Sequence, residues 1–366
     1  EFPDERYTLE VELGRGGMAT VWRAFDPQLH RFIALKKLHP EKLSENFEIE
    51  SFMVEAQITA QLQHPGIVPI HEMSTLENGE YFFTMREVQG KTLQDAIQTV
   101  HRVSNDSRWE QSFDGWNLRR LLRVIHSTCL TLAYAHDRGV IHQDIKPSNI
   151  MIGAYGEVLV VDWGIAKLDT WVQADPRFVS VRASDAFIEH RCQSVSGTPQ
   201  YMAPEQLQGD ISKVDGRTDM YALGVILFSI LAEERPFQGA VDQILKRKYH
   251  GSTSPSLRDL LKMKMLHRPV PDPLIDVCER AMAHQPSHRF MNMRQMAQAI
   301  QDWLDGVQQE EQARQLLDDV GICKAAMDVN ATEIQVHRKA WENMIAPLQD
   351  PEAIQESTAW SEWTEI

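Results

Sequence analysis

Between residues 140 and 164 the chain reads VIHQDIKPSNIMIGAYGEVLVVDWG. Short apolar runs at 140–141, 150–152 and 158–161 bracket Asp144, Lys146, Asn149 and Asp162. A fold can bury such runs only if each neighbouring charge finds a partner or a ligand. The four polar groups therefore either satisfy one another in loops or face a common space. A set of satisfied loop polars has to explain why all four flank short apolar strands. A shared reactive space explains them together. In that space Asp144 accepts a hydroxyl proton, Lys146 neutralises charge on a moving phosphoryl group, and Asn149 and Asp162 hold a metal ion. Mg²⁺ prefers one or two carboxylates plus phosphate oxygens, and phosphoryl transfer consists mostly of positioning and charge neutralisation.

Two earlier features point the same way. LGRGGMATV, residues 13–21, lies between two β-rich stretches. Gly14, Gly16 and Gly17 let the backbone approach a phosphate closely, and free N–H groups there bind its oxygens. A plain tight turn has the same composition, so the glycines alone decide nothing. A Rossmann reading is disfavoured because no helix opens after the last glycine. Lys36 follows inside IALKKL, 15 residues past Val21. It is either an edge lysine reaching solvent or a buried one with a partner. Glu55, on the helical stretch that follows, is the candidate partner. At about 4 Å and an effective dielectric near 20, such a pair gains about 4 kcal/mol before desolvation.

The rest of the chain supplies the frame. Residues 7–25 look like a hairpin around the glycines, 31–38 like a strand and 45–63 like a helix stopped by His64-Pro65-Gly66,. IVPIHEM and EYFFTMREV give two more strands joined through Glu77-Asn78-Gly79, a hairpin turn,. From residue 92 the pattern is mainly helical. Residues 117–139 form a long amphipathic helix ending on Gly139,. Residues 218–234 are apolar nearly all round and read as a helix in the middle of a lobe,. Met296, Ile300, Trp303 and Leu304 mark a last helix, expected to end at Gly306. The tail from 307 carries 12 acidic and 4 basic residues. Leu316, Leu317 and Val320 suggest a helix there, and Trp360 and Trp363 suggest surface waiting to be buried.

Composition sets the limits. With 366 residues, 43% of them hydrophobic, the chain can bury a core,. A net charge of −15 argues against broad nucleic-acid binding,. Cys129, Cys192, Cys278 and Cys323 are far apart, without a CxxC pair, which suits a reducing cytosol and a cytoplasmic location,. The longest apolar run, 222–232, is shorter than the roughly 20 residues a membrane span needs,. The chain starts at Glu1 rather than Met and reads as a fragment, so an anchor outside it stays open.

Taken together, the runs GRGGMATV, HPGIV, HQDIKPSN, VDWG and GTPQYMAPEQ resemble eukaryotic-type protein kinases,. They are most similar to bacterial serine/threonine kinases of the Hanks type, and DWG in place of DFG resembles the chlamydial branch of that group. The resemblance covers about 7–304. It implies an α+β, bilobal fold with a small β-rich lobe over 1–88, a larger helical lobe over 89–305 and an acidic extension over 306–366. It also implies Mg²⁺ and ATP as cofactors, and transfer of the γ-phosphate to serine or threonine hydroxyls of protein substrates. On this resemblance Gly14, Arg15, Gly16, Gly17, Met18, Ala19 and Thr20 cover the phosphates, while Leu13, Val21, Ala34 and Met151 enclose adenine. Met85 falls at the gatekeeper position, and Glu87 and Val88 offer hinge backbone groups. Lys36, held by Glu55, contacts phosphates. Asp144 is the base, Lys146 and Thr198 follow the serine/threonine pattern, and Asn149 and Asp162 are the metal ligands. Glu205 pairs with Arg289, and Asp219 braces the backbone around His142.

Three positions depart from the family pattern. Gln143 stands where an arginine usually precedes the base, and a neutral amide cannot make that residue's two-pronged contact with a phosphorylated loop. Trp163 replaces a phenylalanine and adds bulk beside the metal ligand. Ala19 replaces a third glycine. Thr170, Ser180, Ser184, Ser194 and Ser196 are candidate autophosphorylation sites, which would call for self-association. The alternative reading is a pseudokinase or scaffold that binds nucleotide and partner proteins. Its usual mark, loss of the lysine, the base or a metal ligand, is missing from this sequence.

Overall fold

β-branched and aromatic residues around the early turns build a five-stranded antiparallel sheet. It is seen in a computed structural model that describes residues 6–43, 46–76, 79–104, 108–164, 166–168, 197–208, 213–249, 256–264 and 269–345. The strands are β1 (Thr8–Arg15), β2 (Ala19–Asp26), β3 (Arg31–Leu38), β4 (Ile70–Thr75) and β5 (Tyr81–Met85), in the order β1-β2-β3-β5-β4. β3 is therefore central, and Lys36 has no sheet edge over which to reach solvent. Its register sets Lys36 opposite Val21 on one side and Ala34 opposite Met85 on the other.

Helix α1 (Asn46–Gln61) packs on this sheet through Phe52 and Ala56, which share a cluster with Ala19, Leu38 and Phe83. The Phe52 and Phe83 rings lie 5.0 Å apart. Residues three and four apart lie on one helix face, so burying Phe52 and Ala56 also turns Glu55 inward. The Glu77-Asn78 part of the hairpin turn lies outside the described residues, but Gly79 has φ +83°, a left-handed conformation that glycine adopts without strain,.

The second part of the chain is mainly helical. After β6 (Gly90–Thr92), helix α2 (Leu93–Val103) starts on a reciprocal cap between Thr92 and Asp95. Helix α3 (Leu118–His136) starts on Asn117, whose side chain accepts from the Arg120 N–H. Beyond it Gly139 takes φ +66° and its N–H closes on the His136 carbonyl, as expected for a glycine just past a helix,. Strands β7 (Val140–Ile141), β8 (Ile150–Gly153), β9 (Val158–Val160) and β10 (Lys167–Leu168) pair as β6-β8-β9 and β7-β10. The helices α4 (Pro204–Leu207), α5 (Gly216–Ala232), α6 (Val241–Tyr249), α7 (Leu257–Met263), α8 (Asp272–Ala281) and α9 (Met293–Ile345) follow. α5 is buried on nearly all sides and packs against α3, α7 and α8.

One ion pair anchors the underside of this helical part. Arg289 donates to both Glu205 oxygens, at 2.6 and 2.8 Å, and also to the carbonyls of Ala283, Arg217 and His284. All five guanidinium donors are thus used. Both side chains are almost fully buried. Loss of one partner from such a pair costs about 3–5 kcal/mol, because the other charge is left uncompensated.

The helix expected to stop at Gly306 does not stop there. α9 continues through Gly306 to Ile345. A helical glycine costs only about 1 kcal/mol relative to alanine. The Gln, Glu, Ala and Leu residues that follow are good helix formers, so one glycine is insufficient to end the helix. The chain forms two compact units, Glu1–Leu304 and Asp305–Ile366. In the first, Met293, Met296, Ala297, Ile300 and Leu304 are buried. In the second, the described part is helical to Ile345, and Trp360 and Trp363 lie outside the described residues. Among the described residues no helix is long and apolar enough to cross a membrane.

Candidate active site

The polar run after β7 folds into a loop because Asp219, at the start of α5, collects its backbone. Asp219 accepts from the N–H groups of His142 at 2.9 Å and Gln143 at 2.8 Å, and from the His136 ring at 2.8 Å. Burial opposes its charge, but the hydrogen bond and charge of His136 outweigh this and hold its carboxyl below the usual range,. Gln143 is forced to φ +67°, a region that non-glycine residues seldom occupy outside tightly determined sites,. The Gln206 side chain holds the carbonyl of the same residue at 3.0 Å. The Gln143 side-chain amide makes no hydrogen bond to a described residue.

This loop presents Asp144 with each oxygen engaged. Oδ1 accepts from the Thr198 N–H at 2.9 Å and its hydroxyl at 2.8 Å. Oδ2 accepts from Lys146 Nζ at 2.5 Å and from Asn149 Nδ2 at 3.4 Å. Lys146 Nζ also reaches the Thr198 hydroxyl at 3.2 Å, and Asn149 Nδ2 donates to the Asp144 carbonyl at 3.0 Å. Asp144, Lys146, Asn149 and Thr198 thus form one connected group. Gly197, at φ +127°, allows the approach of Thr198, since a Cβ there would lie 3.2 Å from the Gln143 carbonyl.

Lys36 and Asp162 form a second group, close enough to the first for the Lys146 charge to act on Asp162. Lys36 Nζ lies 2.5 Å from Glu55 Oε1 and 3.4 Å from Asp162 Oδ1. Burial works against the ammonium charge, but Glu55 and Asp162 outweigh it and raise the pKa of Lys36,. Asp162 also sits at φ +67°. Burial raises its carboxyl pKa, whereas Lys36, His142 and Lys146 lower it more, so the net shift is downward. Trp163 next to it is a core residue, 1% exposed. Its indole donates to the Val160 carbonyl at 3.2 Å, and its ring centroid is 4.6 Å from that of His142. His142 in turn touches Val161 O and the Asp144 N–H. A tilted pair of rings in contact therefore couples the loop bearing Asp144 to the segment bearing Asp162.

The glycine-rich turn joins β1 to β2. Gly14 pairs with Val21 and Arg15 with Thr20, and the Gly16 N–H closes on the Ala19 carbonyl. Ala19 and Thr20 are buried, and Met18 packs on the cluster that holds Phe52. Leu13 is exposed on β1. Ala34 is buried on β3, Met85 ends β5, and Met151 lies half-buried on β8. Glu87 pairs with Arg23 at 3.1 Å, and Val88 is half-buried beside it.

These residues suit a metal-bound nucleotide. Chain neighbours aside, no atom of the described residues lies within 4 Å of a Cβ placed on Gly14 or Gly17, so the backbone is open to close approach. Among the described residues Glu55 Oε2 is buried without a hydrogen-bond partner, which leaves acceptor capacity beside Lys36. The Asp162 carboxylate is 47% exposed. Among the described residues no three carboxylate, imidazole or thiolate groups converge. One carboxylate and one amide make a weak cation site alone, and that matches an ion carried in with phosphate oxygens.

A model of the protein kinase domain matches residues 7–304. The chain belongs to the protein kinase family. Among curated relatives, the serine/threonine-protein kinase PknD of Chlamydia caviae is 32% identical over 305 residues. That of Protochlamydia amoebophila is 32% identical over 303 residues, and that of Chlamydia muridarum 33% over 313. Each alignment covers 82% of this chain but only 30–32% of the relative. The likeness to the chlamydial branch, expected from DWG, is thus seen along the kinase domain.

Some residues that shape the site were not legible in the kinase sequence. His136 reaches Asp219 from the end of α3, although it looks like an ordinary helix-terminal base. Lys248 sits in the run KRKY and looks solvated, yet it is 1% exposed. Its only signal is Ile244, four residues earlier and equally buried, which places both on one helix face,.

Proposed function

We propose that the chain is an active serine/threonine protein kinase that uses Mg²⁺ and ATP. The observation that carries this is that two polar groups are intact and near each other, Lys36, Glu55 and Asp162 in one and Asp144, Lys146, Asn149 and Thr198 in the other, with the Lys146 charge acting on Asp162. The names of the relatives support the serine/threonine preference. When bound, MgATP supplies the transferable phosphoryl group and a divalent charge to offset its oxygens. Lys36 orients phosphates, with Glu55 fixing its ammonium. Asn149 and Asp162 would hold the metal ion. Asp144 takes the proton of the acceptor hydroxyl, and Lys146 offsets negative charge that develops beside it. Thr198 keeps the Asp144 carboxylate aimed.

We place the reaction in the cytoplasm, with serine- and threonine-bearing proteins as acceptors, another copy of the kinase included. A cleft of about 720 Å³ beside the catalytic loop, lined in part by Pro147, Gln200, Tyr201 and Phe237, is the place for an acceptor chain. Transfer of label from γ-labelled ATP to a serine/threonine peptide library tests this reading. The pseudokinase alternative expects none.

The candidate phosphorylation sites Thr170, Ser180, Ser184, Ser194 and Ser196 lie outside the described residues. Gln143 has no charge with which to grip a phosphate, and its backbone is held by Asp219 and Gln206. Phosphatase-treated kinase should therefore keep its activity within about threefold of the untreated protein. Loss of activity on dephosphorylation, with recovery on rephosphorylation of the loop, would overturn that expectation.

A further inference from the structure

Helix α6 carries a charge into the interior of the helical lobe. Lys248, 1% exposed, points its ammonium at three backbone carbonyls: Pro199 at 3.1 Å, Gln200 at 2.9 Å and Met202 at 2.7 Å. The rings of Tyr221 and Phe237 lie 5.3 and 5.0 Å from Nζ. Among the described residues no carboxylate lies within ion-pair distance of it. An apolar residue could fill this place at lower desolvation cost, so a lysine there calls for an account.

The three carbonyls belong to one turn. The N–H groups of Tyr201 and Met202 close back on the Thr198 carbonyl, at 2.9 and 3.2 Å. The other end of Thr198 is bonded to Asp144. The turn's Gln200 and Tyr201 also form a wall of the cleft next to Pro147, and Ile244 of α6 lines the same cleft. One ammonium group therefore gathers the turn that both aims the base and shapes the acceptor cleft.

We propose that protonated Lys248 is a positioning residue for the phosphoryl acceptor, holding the Pro199–Met202 turn so that the acceptor hydroxyl meets Asp144. This rests on the kinase reading above. The ammonium is a donor to all three carbonyls only while it keeps its protons. Burial draws its pKa down from the ordinary lysine value to about 7, so the clamp loosens as pH rises through neutrality. Among the described residues, the titratable and charged groups on the elements that meet it are Tyr201 of the turn, on which Arg235 acts, Tyr221 with the Arg289–Glu205 pair behind it, and Asp242, Lys246, Arg247 and Tyr249 on its own helix. An arginine at 248, which cannot lose its charge, controls for all of them.

The experiment compares wild type, Lys248→Arg and Lys248→Met at about pH 6 and about pH 8, either side of the depressed lysine value,. It uses casein as acceptor and records KM for casein and for ATP separately. Wild type should show a casein KM about tenfold higher at the upper pH, with a much smaller change for ATP. Lys248→Arg should be nearly flat, and Lys248→Met should have the high casein KM at both values. Hydrogen exchange at the Tyr201 and Met202 amides should quicken in Lys248→Met and, in wild type, more than its intrinsic pH dependence accounts for. The proposal is overturned if Lys248→Arg keeps the wild-type pH dependence of casein KM, or if folded Lys248→Met matches wild type. Should Lys248→Met fail to fold, the wild-type and arginine profiles still decide. Absence of transfer by wild type at every pH, with normal exchange behaviour of the turn, would instead remove the kinase reading.

Discussion

Asp144→Asn is expected to lower phosphoryl transfer by about 10²- to 10⁴-fold, the range for loss of a positioned general base. The substitution is isosteric, so the loop keeps its shape through Asp219, which holds the adjacent N–H groups at 2.8 and 2.9 Å. What changes is the acceptor. The Asp144 oxygens take four hydrogen bonds, two from Thr198 and one each from Lys146 and Asn149. An amide can accept at only one of those two positions and must turn a donor toward either Lys146 or Thr198. It also cannot take a proton near neutral pH. Affinity for ATP should stay within about threefold, because the role proposed for Asp144 is toward the acceptor rather than the nucleotide. A steady-state assay on a serine/threonine peptide, with calorimetric titration of ATP, separates the two quantities. Equal transfer by both proteins would mean that the measured label comes from a contaminant.

Lys36→Met carries the second large effect, a loss of about 100- to 1000-fold in kcat/KM. Methionine fills the space on central strand β3 and has no charge. Glu55 Oε1 then loses its 2.5 Å partner, and Asp162 its 3.4 Å one. Glu55 is 3% exposed, and a buried carboxylate without a cation protonates rather than stay charged. The phosphates lose both the ammonium and the means of keeping it aimed. Lys36→Arg should recover little of this, since the planar fork does not reproduce a compact point charge. The measurement is kcat and KM for ATP at fixed peptide. Wild-type kinetics in Lys36→Met would remove the lysine from the site.

Much of this was readable from residue order because the chemistry is local. Asp144, Lys146 and Asn149 lie within six positions, and apolar strands on both sides leave them few places to go. Lys36 and Glu55 are 19 residues apart, yet the helical spacing of Phe52, Ala56 and Thr59 already says which face of α1 turns inward, and Glu55 lies on it. What could not be read depended on tertiary contact. Nothing in KRKY separates the buried Lys248 from solvated neighbours, since the deciding partners are carbonyls 46 to 49 residues away. His136 binds Asp219 across 83 residues. Trp163 looked like bulk beside a metal ligand, and the fold makes it a core residue with its ring against that of His142. Gly306 failed as a stop signal because one helical glycine costs only about 1 kcal/mol and good helix formers follow it,.

The account turns on whether Lys36, Asp144, Asn149 and Asp162 serve one metal-bound nucleotide. Calorimetric titration of ATP with and without Mg²⁺, in wild type and in Asp162→Asn, asks this most directly. The expected result is that Mg²⁺ tightens ATP binding to wild type by about tenfold or more, and that most of this gain vanishes in Asp162→Asn. Equal ATP affinity with and without Mg²⁺ in wild type, matched by Asp162→Asn, would contradict it.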